Sequence, residues 1–191
     1  GVDARQAAVG ILGVRYQQNS VYKGISSQVE GITHPYLNVG QIAGGTNTNV
    51  IPGRVTFKLD RRMIPEENPA DVEANLRELI AVAAAAHPGI TVDVKRILLA
   101  RALQPLPGNQ PLVSALQKHG QAVFGEPIPA LGTPLYTDVR LFCEAGIPGV
   151  IYGAGPRTVL ESNAKRADEN LNLEDLRRAT KVVARSLVDL L

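Results

Sequence analysis

Apolar positions along the chain switch between a helical and an extended period, and the switches divide it into short elements. Ala4, Ala7, Ala8, Ile11 and Leu12 share one face of a helix that Asp3 can cap. A loop-rich stretch follows to about Pro35, after which residues 36–43 alternate with Leu37 and Val39 on one face. Gly44-Gly45-Thr46-Asn47-Thr48-Asn49 is a turn by composition, and Val55-Thr56-Phe57-Lys58-Leu59-Asp60 is a strand by strict alternation. Asn68 and Pro69 supply an N-cap and a first helical residue. Val72, Leu76, Leu79, Ile80 and Ala83 form the stripe of that helix, and His87-Pro88-Gly89 ends it. Ile90, Val92 and Val94 then alternate once more. Helix, strand, strand, helix, strand is the ferredoxin-like βαββαβ order without its first strand. Residues 1–100 are therefore expected to form an α+β ferredoxin-like domain. Its missing strand would be central, so the slot should be filled by a partner chain or close up, because open ladder groups need partners.

The stretch Leu103 to Pro111 holds three prolines and one glycine, and the domain boundary is placed near residue 100. Residues 101–191 then read as α/β. A helix runs from about Pro111 to Phe124 and is closed by Gly125, and a short one runs from about Asp138 to Glu144. A buried strand at Val150-Ile151-Tyr152 leads into Gly153-Ala154-Gly155. The last helix is capped by Asn172, has Glu174 and Asp175 in its first turn, and carries Leu173, Leu176, Val183, Leu187 and Leu190 along one side.

Composition narrows the function. At 191 residues and 45% hydrophobic the chain can bury a core, and no stretch approaches the roughly 20 apolar residues of a membrane span. The net charge is +2, and the basic pairs Arg61-Arg62, Lys165-Arg166 and Arg177-Arg178 are isolated from one another. With five Tyr, three Phe and no Trp there is little to stack on bases, which argues against nucleic acid. The single Cys143 has no internal disulfide partner and lies in an apolar segment, which fits packing in a reducing compartment, with cytoplasm the default. The chain opens on Gly1 and its only methionine is Met63, so an internal piece of a longer protein is expected.

Four segments carry a resemblance. Gly44-Gly45 through Asn49-Val50-Ile51-Pro52-Gly53 precedes a strand ending Asp60-Arg61-Arg62. Gly1-Val2-Asp3-Ala4 precedes an alanine-rich helix. Thr137-Asp138-Val139-Arg140 is followed by Gly146-Ile147-Pro148. Tyr152-Gly153-Ala154-Gly155 is followed by Ala164-Lys165-Arg166-Ala167-Asp168-Glu169. Each is weak alone, but together and in this order they resemble the zinc-dependent aminoacylase/acetylornithine deacetylase/succinyl-diaminopimelate desuccinylase/carboxypeptidase family. The resemblance covers its lid domain and the C-terminal part of its metallopeptidase-like α/β catalytic domain.

The resemblance implies a parent enzyme that hydrolyses N-acyl amino acids or similar carboxylate-bearing amides, using water held between two zinc ions and a carboxylate base. It implies a homodimer formed through the lid. It aligns Asn49 and Arg62 with lid residues that hold the substrate and its carboxylate, a task suited to a bidentate guanidinium. Arg140 would bind a carboxylate from the catalytic side, and Gly153 and Gly155 would let backbone approach the substrate. The bland readings are a strand-end arginine for Arg62, a left-handed turn residue for Asn49, a helix N-cap for Asp138 and a tight turn for the two glycines.

One position departs from the pattern. Where the family's last motif has a metal-binding histidine, this chain has Lys165. An ammonium has no lone pair near neutral pH, so no zinc or other cofactor is expected on this chain alone. His34, His87 and His119 read as solvated or locally bonded. Glu161 and Glu169 are not read as metal sites, and Glu169 reads as a loop support. The chain alone is expected to be inactive. The alternative is a non-catalytic dimerisation or small-ligand-binding module.

Overall fold

Asp3 starts the first helix in the manner expected of a cap: its Oδ1 accepts the N–H groups of Arg5 at 2.9 Å and Gln6 at 3.3 Å. The protein is described by a computed structural model over residues 2–155, 158 and 160–191, so Gly1 of the resemblance lies outside the described residues. Helix α1 spans Ala4–Tyr22 and turns Ala7, Ala8 and Ile11 inward. Strands β1 (Tyr36–Gly44) and β2 (Val55–Arg62) pair antiparallel, Tyr36 opposite Arg62 and Gly44 opposite Val55, with one irregularity between Val39 and Gln41. Helix α2 (Pro69–Ala85) begins where Asn68 Oδ1 accepts the Ala70 N–H at 2.9 Å.

The chain divides into two compact units, the first made of Gly1–Ala102 with Gly132–Pro134 and the second of Leu103–Leu131 with Leu135–Leu191. In the first, Ile11, Ile80 and Ala83 form the buried centre, and Val14, Phe57, Leu59, Leu76 and Val94 close around it. Burying a side chain such as Ile80 stabilises by about 2 kcal/mol. Asn19 of α1 completes the edge of β1 by using its amide as a strand mimic. Its Nδ2 donates to Leu37 O at 2.8 Å and its Oδ1 accepts from Leu37 N at 2.9 Å. The loop after α1 is clamped by Glu66, which accepts the Ser27 hydroxyl at 2.9 Å and the Gln28 N–H at 2.8 Å. The Gln28 bond leads in holding that carboxyl below its ordinary value. Gly31 has φ +93°, and a Cβ there would stand 2.1 Å from Gly132 O, so only glycine fits.

The alternation Ile90, Val92, Val94 does not produce a paired strand. Among the described residues the sheet has two strands, and residues 90–100 run without ladder bonds. A strand exists only when a neighbour takes its backbone groups, which side-chain alternation cannot supply. Val94 instead packs on the core, and Arg77 Nη1 donates to its carbonyl at 2.7 Å.

The second unit opens with the 3₁₀ turn Pro107–Asn109 and helix α3, Gln110–Phe124. Gly125 ends α3 at φ +80°, its N–H reaching Gln121 O at 2.9 Å. Helix α4 spans Val139–Glu144, and Asp138 holds the position before it without a side-chain capping bond. Helix α5 (Leu173–Leu190) is capped by Asn172 Oδ1, which accepts Glu174 N–H at 2.8 Å. Helices α3 and α5 pack together and are pinned by Asp189, which accepts from Lys118 Nζ at 2.6 Å and lies 2.9 Å from His119 Nε2. Residues 150–152 also lack a ladder among the described residues, for the same reason as 90–94. The face of α5 that is buried is Ala179, Val182 and Ser186, while Leu173, Leu187 and Leu190 remain exposed. The architecture is α+β, with a small antiparallel sheet.

Candidate functional site

Strand β2 decides the fate of two adjacent arginines. Its odd positions, Val55, Phe57, Leu59 and Arg61, turn inward and its even ones outward. Arg61 is thus carried into the core side, 7% exposed, where it pairs with Glu67 and lies 4.2 Å from the Tyr22 ring centre. Glu67 also accepts the Ile64 N–H at 2.9 Å, so this arginine is committed to structure. Arg62 faces outward and meets Asp60 at 3.0 Å, with both side chains about half exposed at 54%. An exposed pair of this kind is weak and leaves the guanidinium able to exchange partners.

Asn49 lies in the turn before β2, where Val50 N–H closes on Asn47 O at 3.3 Å and Asn47 Oδ1 accepts Thr48 N–H at 2.7 Å. Asn49 is exposed and not left-handed; the positive-φ residues that are not glycine are, among the described residues, Asn163, Lys165 and Asp168. Asn49 lies in the turn that precedes β2, whereas Arg62 is the last residue of that strand.

In the second unit Arg140 is 11% exposed and already engaged. Its Nη2 donates to Tyr136 Oη at 2.9 Å, its Nη1 meets Glu144 Oε1 at 3.3 Å, and its Nε is buried without a partner among the described residues. The Tyr136 bond leads in raising Arg140 above the ordinary guanidinium value. Among the described residues nothing lies within 4 Å of the position a methyl group on Gly153 would take, whereas a Cβ on Gly155 would meet Leu171 Cδ1 at 2.4 Å. Next to Gly153, burial pushes the Tyr152 phenol up from its ordinary value.

Lys165 sits in a tightly wound loop. Its φ is +63°, and Asn163 and Asp168 are left-handed too, at +53° and +61°. Such backbone costs on the order of 1 kcal/mol per residue and needs support. Glu169 Oε2 supplies it by accepting Lys165 N–H at 2.9 Å, and Asn163 Nδ2 donates to Ala167 O at 2.6 Å. The side chain of Lys165 is exposed. The histidines are occupied locally: His34 Nδ1 lies 2.8 Å from Pro35 O, His119 pairs with Asp189, and the His87 ring covers Gly10. Among the described residues no three His, Cys, Asp or Glu side chains converge on a point that could hold a metal ion. Cys143 is buried and free. Sequence reasoning missed Arg61 as a buried cation, although the inward parity of β2 carried that signal.

Comparison with known proteins places this geometry. Residues 6–88 match the peptidase dimerisation domain of the M20 family. The chain is 26% identical over 184 residues to a putative succinyl-diaminopimelate desuccinylase of Mycobacterium tuberculosis, covering 94% of this chain and 46% of that protein. It is 26% identical over 164 residues to an acetylornithine deacetylase of Myxococcus xanthus, covering 83% and 39%. Its fold is similar to that of a Bacillus subtilis protein described as a dinuclear metal binding peptidase from the M20 family, with TM-score 0.66, 20% identity, and 100% and 47% coverage. An M20 family metallo-carboxypeptidase from Sulfolobus solfataricus gives TM-score 0.58 at 23% identity, with 81% and 35% coverage. The chain spans less than half the length of these curated relatives. Its similarity to M20 proteins rests on the dimerisation-domain match over residues 6–88 and on a fold shared along the chain.

Proposed function

We propose that this chain is part of a metal-dependent amidohydrolase or peptidase acting on N-acyl amino acids or similar carboxylate-bearing amides. In this reading the first unit is a ferredoxin-like lid, built from residues 1–100, that supplies dimerisation and a substrate-carboxylate contact. The second, 101–191, is the C-terminal portion of the catalytic domain. The observation that carries the reading is the match of residues 6–88 to a peptidase dimerisation domain, in a chain whose relatives include a desuccinylase and a deacetylase. Outward-facing Arg62, whose ion-pair partner Asp60 is itself half exposed, is a cation able to receive a carboxylate, with Asn49, Arg140, Gly153 and Gly155 as the other contacts. Cytoplasm is the proposed compartment, on the buried free thiol of Cys143; among the described residues no helix is long and apolar enough to cross a membrane.

The family's zinc does not fit the residues present here. Lys165 stands where the resemblance expects a histidine, and no ligand set converges among the described residues, so no catalytic step is assigned to this chain. That observation favours a second reading, a dimerisation or small-ligand-binding module without chemistry.

Two measurements separate the readings. Sedimentation of the chain should give a dimer, and a monomer at high micromolar concentration would remove the dimerisation role. A protein extended to the length of the relatives should hydrolyse members of an N-acyl amino acid panel with added zinc. Activity only after Lys165→His would mean that Lys165 disables the site. Silence of both forms in a folded, metal-loaded protein would leave the binding module.

A further inference from the structure

Three arginines of the first unit converge on one groove that the proposed function does not use. The groove, of about 380 Å³, lies along the start of α2 and is lined by Asn68, Glu73, Arg77, Arg96, Leu99 and Arg101 among others. Its volume falls in the range of small-molecule pockets, about 300–1,000 Å³. Glu73 is the hinge of the arrangement. Its Oε1 accepts from Arg77 Nε at 3.0 Å and Nη2 at 2.8 Å, and its Oε2 meets Arg96 Nη1 at 2.8 Å. The Arg77 bond, followed by Arg96, holds this carboxyl below its ordinary value, so Glu73 stays ionised.

One carboxylate faces three guanidinium groups, which leaves two positive charges in excess along the lining. Arg101 is exposed and makes no hydrogen bond or ion pair among the described residues. Arg77 is further oriented by Nη1 donating to Val94 O at 2.7 Å, so its fork does not depend on Glu73 alone. Packing like charges together is unfavourable unless an anion offsets them, and planar forks prefer paired oxygens. The partial positive charge at the start of α2 is offset by Asp71 in its first turn, so the excess charge of the wall is that of the arginines.

We propose that this groove is a binding site for a small dianion bearing carboxylate or phosphate oxygens. Arg96 and Arg101 make the principal contacts, and Glu73 acts as the internal competitor that the ligand displaces from Arg77 and Arg96. The site is separate from Arg62, so it stands or falls independently of the substrate role proposed above.

The test is titration of the 191-residue chain by calorimetry and by amide NMR, with inorganic phosphate in one arm and succinate in the other. Saturable one-to-one binding is expected in at least one arm, with shifts at residues 68–77 and 96–101. The arm that binds more tightly assigns the oxygen chemistry. Arg101→Gln, which breaks no contact among the described residues, should weaken binding about tenfold, a loss of one charge-assisted contact. Arg96→Gln should do the same. Glu73→Gln should tighten binding several-fold by releasing both arginines. Arg5→Gln, an exposed arginine on α1 outside the groove, should change nothing. Absence of saturable binding in both arms would overturn the proposal. Equal weakening by Arg5→Gln and Arg101→Gln would also overturn it, because bulk charge would then explain the titration. Weakening by Glu73→Gln would remove its assignment as competitor.

Discussion

The unit built on β1 and β2 and the unit built on α3 and α5 use their apolar residues in opposite ways. In the first, large residues at pattern-selected positions reach the centre: Ile11 and Ile80 are buried and Phe57, Leu59 and Leu76 pack on them. In the second, the centre of the helix pair is made of small and medium residues. Val182 is fully buried and Ala179 and Ser186 lie beside it, while Leu187 is 50% exposed and Leu173 77%. At 3.6 residues per turn the buried side of α5 is displaced by roughly 90° from its leucine stripe. A stripe therefore marks the face an element can bury, and the neighbour that is present decides which part of it is buried.

Arg61 is the cation that the first unit draws inward. Arg61→Ala should cost about 3 kcal/mol, because it strands Glu67 in a half-dry site, whereas Arg62→Ala should stay within about 0.5 kcal/mol. Urea unfolding measures both, and equal costs would mean that the parity of β2 does not sort them. In the second unit Val182→Ala should cost about 2 kcal/mol and Leu187→Ala less than about 1 kcal/mol. The reverse order would place the leucine stripe at a buried interface in solution.

The caps sharpen the contrast by showing where the units agree. Asn68 and Asn172 each accept one N–H of the first turn, at 2.9 and 2.8 Å. Replacing either by alanine should cost about 1 kcal/mol, seen as a lowered Tm. A large difference between them would show that tertiary packing, not the cap, sets one helix start.

The smallest expected effect is electrostatic. Glu174, at the start of α5, has its pKa lowered from 4.5 to about 2, chiefly by its hydrogen bond from Arg177. A depressed folded-state pKa stabilises above the unfolded value and is lost as pH falls through the folded one, so this pair weakens between about pH 4.5 and 2. Side-chain NMR titration should find the low value, and Arg177→Gln should return it most of the way to 4.5.

Much of the fold was legible locally. Asp3, Asn68 and Asn172 announced three helix starts, Gly125 one helix end, and the alternation from Val55 one strand, because each depends on residues within a few positions. The strands expected at 90–94 and 150–152 failed as paired strands, since pairing depends on a distant neighbour. The site was less legible. Sequence singled out Arg62 but not its buried neighbour Arg61, and it did not announce that Arg140 bonds Tyr136 and Glu144. Nor does any motif announce the groove of Arg77, Arg96 and Arg101, which lie up to 24 positions apart and meet only across the folded unit.

By itself, then, the sequence determined the caps, the periods of the main helices and of β2, and the likeness of residues 6–88 to a peptidase dimerisation domain. Tertiary structure alone decided that Glu67 and Tyr22 receive the inward arginine, which side of α5 is covered, and that Lys165 is held left-handed by Glu169. Capping and periodicity act over a few residues of chain, whereas burial and ion pairing are set by groups that only folding brings near.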